Sequence, residues 1–224
     1  MGKRLGCFHS HHSNIGYIED GLSEYDIDFI HFVDPGLMNR VTHDQEFREA
    51  DAEKKVKEQL KWVSQCNVDA ILITCTNYIA LLKEEEISIS VPIIKIDEPY
   101  IASICNIEEP QEILFTNPNT VKGTMERLNQ YAKMHQKSID VAVSVINNTF
   151  ELVMQGKLDE YNQEVAKVLS RILTEDRKVI SVAQLSMVQA TRIVEKMTSK
   201  KIINPLDPLI SFLVSQLEIV EQGV

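Results

Sequence analysis

Hydrophobic positions along the chain fall into short continuous runs separated by longer stretches in which they recur every three or four residues. The runs "KRLGCFH", "IDFIHFV", "DAILIT", "VPIIKI", "EILFT", "IDVAVSVI", "KVISVA" and "KIIN" read as strands. The spacing between them predicts helices over 15–25 and 44–65, one through Leu81, one over 118–135, and two between Asn148 and Leu173. A further helix ends near Met197, and a last one runs from Leu206 to Val220. A short bridging segment separates "VPIIKI" from "EILFT", and Pro35-Gly36 after the second strand reads as a turn. The strands are apolar on both faces instead of alternating, so each is covered twice. Strands of that kind, separated by helices, predict an α/β fold built on parallel sheets.

Helix-start chemistry agrees with this phasing. Asn77 can cap the helix after "ILITC", and Asn117-Pro118 places a proline in a first turn, where its missing N–H costs nothing. Asn204-Pro205 and Asp207-Pro208 mark the approach to the last helix. A long-range echo divides the chain. In each half a later strand opens directly into a helix, "CTNYIALLK" in one and "QLSMVQATRI" in the other. Two pseudo-symmetric α/β lobes follow as an expectation, residues 1–97 with 201–224 forming the first and 98–200 the second.

Composition narrows the function. The 224 residues are 44% hydrophobic and 25% charged, as in an ordinary globular protein. A net charge of −10 without a basic stripe argues against nucleic-acid binding. No apolar run approaches the roughly 20 residues that span a bilayer. "MGKRLGCFHS" reads as a first strand and not as an export signal, and Gly6 stands where a myristoylation signal wants Ser or Thr. A cytoplasmic location and four free thiols, Cys7, Cys66, Cys75 and Cys105, are the expectation.

Cys75 is the leading candidate for chemistry. It ends a predicted parallel strand, where open α/β sheets bind ligands, and a helix start follows. Helix N–H groups and dipole would draw a thiol down from about 8.5 toward neutrality. Its neighbours Thr76 and Asn77 offer donors suited to a carboxylate. The loop "FHSHHSN" supplies His9, Ser10, His11, Ser13 and Asn14 as candidate substrate contacts. His-x-His at a strand end also suggests zinc, but His31, His43 and His135 do not fall at other strand ends. A polar loop without a metal is therefore the preferred reading. "FTNPNTV" brings Thr116, Asn117 and Thr120 to another strand-to-helix junction, where they could hold an anionic group.

The motifs "ILITCTNY", "VPIIKIDEP", "EILFTNPNTV" and "VISVAQLSM" together resemble the aspartate/glutamate/hydantoin racemase superfamily over nearly the whole chain. The resemblance implies two flavodoxin-like lobes facing a crevice, with one cysteine from each lobe flanking the substrate α-carbon and no cofactor. It implies a small-carboxylate substrate and association as a homodimer. Cys75 would be the base on one face, and Thr76, Asn77, Thr116, Asn117 and Thr120 would hold the carboxylate and ammonium groups. The chain departs from the pattern at two places. "CTN" replaces the order cysteine, asparagine, threonine. Gln184, with Ser186 beside it, stands at the second catalytic position, and an amide cannot exchange a proton at neutral pH. Racemase-like chemistry through Cys75 is the leading expectation, with His9 or His11 as a replacement second base. A single-thiol decarboxylase or isomerase, or a small-anion binding protein on the same scaffold, are the alternatives.

Overall fold

A computed structural model describes residues 2–82, 88–175 and 178–222. The chain divides into two compact units, Met1–Glu98 with Leu209–Val224, and Pro99–Pro208. Each carries its own parallel sheet.

In the first unit the order of elements is β1 (Lys3–His9), α1 (Asn14–Gly21), β2 (Ile27–Val33), α2 (Pro35–His43), α3 (Glu49–Ser64), β3 (Ala70–Ile73), α4 (Thr76–Ala80) and β4 (Ile93–Lys95). The strands pair as β2-β1-β3-β4, all parallel. β3 is buried along its whole length, as its unbroken apolar run predicts. Leu5 and Phe8 of β1, Val56 and Leu60 of α3 and Ile71 and Leu72 of β3 are among its buried core side chains. Gly6 lets α3 approach β1 closely: a Cβ there would lie 2.8 Å from Val63 Cγ1.

The second unit contains most of α5 (Asp97–Cys105), then β5 (Gln111–Phe115), a 3₁₀ turn over Pro118–Thr120, α6 (Val121–Met134), β6 (Val141–Val145), α7 (Phe150–Met154) and α8 (Leu158–Glu175). β7 (Val179–Val182), a 3₁₀ turn over Leu185–Met187 and α9 (Val188–Thr198) follow, and α10 (Leu206–Leu217) closes the helical part of the chain. Its strands are ordered β6-β5-β7. In both sheets the unit's first strand is flanked by its second and third, so the echo between the two halves is one of topology. The segments after β3 and β7 hold equivalent places.

Several local expectations are corrected. Pro35 and Gly36 open α2 and do not form a free turn, because Asp34 Oδ1 accepts from Leu37 N at 3.1 Å and Pro35 fits the first helical position. The long charged helix starts at Glu49, not at residue 44, where Asp51 Oδ2 accepts from Arg48 N at 3.1 Å. The bridging segment is largely the helix α5. "KIIN" makes only a single bridge, Ile203 to Ser181. Asn204 then turns its amide oxygen to the N–H groups of Leu206 and Asp207, starting α10 instead of extending a strand. No helix among the described residues is long and apolar enough to cross a membrane.

Candidate functional site

In the first unit the carboxyl ends of β1 and β3 lie side by side, since the strands are hydrogen-bonded neighbours with Phe8 opposite Ile73. The residues just beyond them, Ser10 and Cys75, come together in consequence: the Ser10 hydroxyl lies close enough to the Cys75 sulfur to favour its thiolate. The backbone N–H groups of Asn77 and Tyr78, in the first turn of α4, also point at that sulfur. Cys75 itself occupies the helix-cap position with extended backbone, φ −106° and ψ 113°. Asn77 is therefore not the cap; it stands exposed inside the helix.

The thiol is 8% exposed. Burial pushes it up, and this outweighs the opposing pull of the Ser10 hydroxyl and the two backbone N–H groups. The expected drop toward neutrality is thus corrected, since desolvation exceeds the effect of a five-residue helix.

Beneath this edge runs a buried polar chain. Thr74 Oγ1 donates to Phe8 O at 3.3 Å and receives Asn14 Nδ2 at 3.3 Å and His9 Nδ1 at 2.8 Å. His9 Nε2 lies 2.9 Å from His31 Nδ1. Burial first, and then the neighbouring His31, push His9 down to about 4, so it is neutral near pH 7. His9 is fully buried with both ring nitrogens engaged, which makes it a support for the strand end. His11 turns back on its own loop, its Nδ1 lying 2.8 Å from Ser13 Oγ. Ser10, His11, Ser13, Asn14 and Thr76 are all partly exposed, and of the loop residues Asn14 reaches the strand end through Thr74.

In the second unit the equivalent junctions after β5 and β7 also meet. Gln184 Oε1 accepts three hydrogen bonds, from Thr116 N at 2.6 Å, Thr116 Oγ1 at 2.9 Å and Asn117 N at 3.0 Å. Thr116 Oγ1 lies 3.1 Å from Tyr161 OH, which lies 2.9 Å from Ser186 Oγ. Asn117 Oδ1 takes the N–H of Asn119 at 3.0 Å, and Thr120 Oγ1 donates to Asn117 O at 2.9 Å. Thr116, Asn117, Gln184 and Ser186 form one network, with Thr120 tied to it through the turn. A cluster of donors that suits a carboxylate oxygen is occupied by the protein's own amide oxygen.

Sequence reasoning missed three members of these networks. Tyr161 is an internal residue of α8, and only its full burial reveals that its hydroxyl joins Thr116 to Ser186. Thr74 read as the end of an apolar strand. His31 lies mid-strand, and the parallel register puts it directly opposite Cys7.

No protein-family model matches the chain, and no relative is found among curated proteins. Solved structures do match. Picrophilus torridus aspartate racemase superimposes with a TM-score of 0.69 over 99% of this chain and 96% of its own, at 11% identity. Glutamate racemase from Francisella tularensis, solved with D-glutamate, gives a TM-score of 0.67 over 97% and 81%, at 18% identity. Allantoin racemase from Klebsiella pneumoniae gives 0.65 over 99% and 91%, at 17% identity. The chain has the fold of these racemases, two parallel-sheet α/β units of the flavodoxin kind.

Proposed function

We propose that this chain, built on the fold of amino-acid and allantoin racemases, is a cytoplasmic, cofactor-independent enzyme acting at the α-carbon of a small carboxylate through Cys75. The observation that carries this reading is the setting of the Cys75 sulfur. It lies at the carboxyl end of β3, against the Ser10 hydroxyl and two backbone N–H groups. Those donors stabilise a thiolate, while desolvation makes that thiolate a strong base. A base of this kind suits a carbon acid, whose proton is held far more tightly than that of an imidazolium or a carboxylic acid.

Abstraction of the α-proton moves negative charge onto the substrate carboxylate, and donors around it must be in place beforehand. Thr76 and the exposed amide of Asn77 are the first unit's candidates for that role.

Gln184 favours a single-thiol course over two-base racemisation. Its amide oxygen is held by three donors, so its Nε2 is the end left to face a ligand, and a carboxamide N–H binds oxygen without yielding a proton. A decarboxylase or isomerase of the one-base kind is therefore the second reading.

The test is deuterium incorporation at the α-carbon in D2O. Aspartate, glutamate, hydantoins and substituted malonates are incubated with wild type and with Cys75→Ser, then read by NMR and chiral chromatography. Exchange that disappears in Cys75→Ser is the expected result. Exchange with inversion marks a racemase; exchange with retention, or release of carbon dioxide, marks the one-base course. Exchange that persists unchanged in Cys75→Ser would refute the role given to the thiol.

A further inference from the structure

Side chains alternate along a strand, so Cys7 and His9 project from the same face of β1. Parallel pairing sets His31 of β2 directly opposite Cys7, on that same face. One ligand atom from each of the three residues lies within 4.8 Å of the others, and Cys7 and His9 are fully buried.

The hydrogens of this cluster do not balance without a cation. Thr74 spends its hydroxyl proton on Phe8 O, so it accepts from His9, and the His9 proton is on Nδ1. His9 Nε2 therefore presents a lone pair to His31 Nδ1, 2.9 Å away. If His31 carries its proton on Nδ1, its Nε2 lone pair faces the Glu19 carboxylate, whose Oε1 is 3.3 Å distant. If the proton is on Nε2, two lone pairs oppose each other across 2.9 Å. A neutral pair of rings fails on one side or the other. His31 Nε2 is in fact a buried polar atom without a hydrogen-bond partner. Only a positive charge between the rings satisfies both.

The surrounding groups fit a metal ion in that place. Each ring turns one nitrogen to the gap and has an oxygen behind the other: Thr74 Oγ1 behind His9, and Glu19 behind His31. Outer oxygens of this kind fix the tautomer of ligating histidines and raise their basicity. Cys7 adds a sulfur engaged by a weak 3.9 Å approach to Leu5 O. With Zn–N near 2.0 Å and Zn–S near 2.3 Å, a tetrahedral ion needs its ligand atoms roughly 3.3–3.6 Å apart. The cluster's 2.9 Å separation and 4.8 Å limit bracket that spacing. Two imidazoles and one thiolate select zinc or a similar borderline cation over calcium or magnesium.

We propose that Cys7, His9 and His31 form a binding site for a zinc-type divalent cation on the buried face of the first unit's sheet. The ion displaces the Cys7 proton, and its charge is offset by the thiolate and by Glu19. Ligation needs the thiolate, so uptake releases a proton and strengthens as pH rises.

Cobalt(II) is the probe. The full chain, first stripped with a chelator, is titrated anaerobically with cobalt chloride. The expected result is a thiolate-to-cobalt charge-transfer band and intense tetrahedral ligand-field bands, saturating at one equivalent and lost on adding zinc. Cys7→Ala removes the charge-transfer band, while Cys66→Ala leaves it. Glu19 is exposed, so Glu19→Gln keeps the fold, and it weakens cobalt binding about ten- to a hundredfold. Circular dichroism confirms that each variant is folded; were Cys7→Ala unfolded, Glu19→Gln decides alone. No saturable charge-transfer band in folded wild type, or binding unchanged in Glu19→Gln, would overturn the site. So would imidazole nitrogen NMR showing a doubly protonated His31 in the presence of cobalt, because a proton would then hold the gap.

Discussion

Gln184→Ala isolates the filled donor cluster of the second unit. The substitution strips the acceptor from Thr116 N–H, Thr116 Oγ1–H and Asn117 N–H, now at 2.6, 2.9 and 3.0 Å. The three losses are unequal. Thr116 is 2% exposed, so its N–H is left unpaired away from water, at a cost of about 1–3 kcal/mol. Its hydroxyl has Tyr161 OH within 3.1 Å and redirects to it at little cost. Asn117 is partly exposed, and water replaces most of what its N–H loses. The net destabilisation is about 2 kcal/mol. With a urea slope of about 2 kcal/mol/M, the unfolding midpoint falls by roughly 1 M.

Gln184→Glu is the control. It keeps an oxygen in the same seat and converts the three bonds to charge-assisted ones, so its midpoint stays at or above that of wild type. Small carboxylates complete the test. Acetate or malonate occupies the vacated seat in Gln184→Ala and restores about 2.7 kcal/mol at a hundred times its dissociation constant, whereas wild type gains less because the seat is taken. A Gln184→Ala protein within 0.5 kcal/mol of wild type, or a Gln184→Glu protein as unstable as it, would refute this account of the cluster.

Two further outcomes follow from the first unit. Burial holds the Cys75 thiol protonated beyond the ordinary thiol range, so its alkylation by iodoacetamide is slower than that of the more exposed Cys66 at pH 7 and accelerates with rising pH; peptide mapping that finds Cys75 labelled first at neutral pH would contradict this. For His9 the folded-state value, about 4, lies below the ordinary 6.5. The unfolded chain then binds more protons at this site between those values, so the contribution of His9 to stability is constant above pH 6.5, declines as pH falls, and levels below about 4. The full decline is about 3 kcal/mol. Urea midpoints of the chelated protein across that range show it, and His9→Gln flattens the curve.

Much of this protein was legible in the chain. Continuous apolar runs gave parallel strands because a strand buried on both faces has no polar side to alternate. Cys75 stood out because a thiol between such a strand and a helix start has a restricted set of structural uses. The short helices and turns were less legible, since Pro35-Gly36 serves a free turn and a helix start equally well until Asp34 is seen to cap Leu37. Tertiary structure alone decided the rest. Register, which depends on how two strands slide, brought Cys7 opposite His31. Burial, which depends on everything packed around a side chain, reversed the direction of the Cys75 thiol. The seat of the Gln184 oxygen depends on two strand ends, 68 residues apart, meeting in one sheet. Local pattern fixes what a segment becomes, because backbone hydrogen bonding and the pairing of apolar faces are short-range choices; which groups meet is a long-range outcome of sheet order that no single stretch of sequence carries.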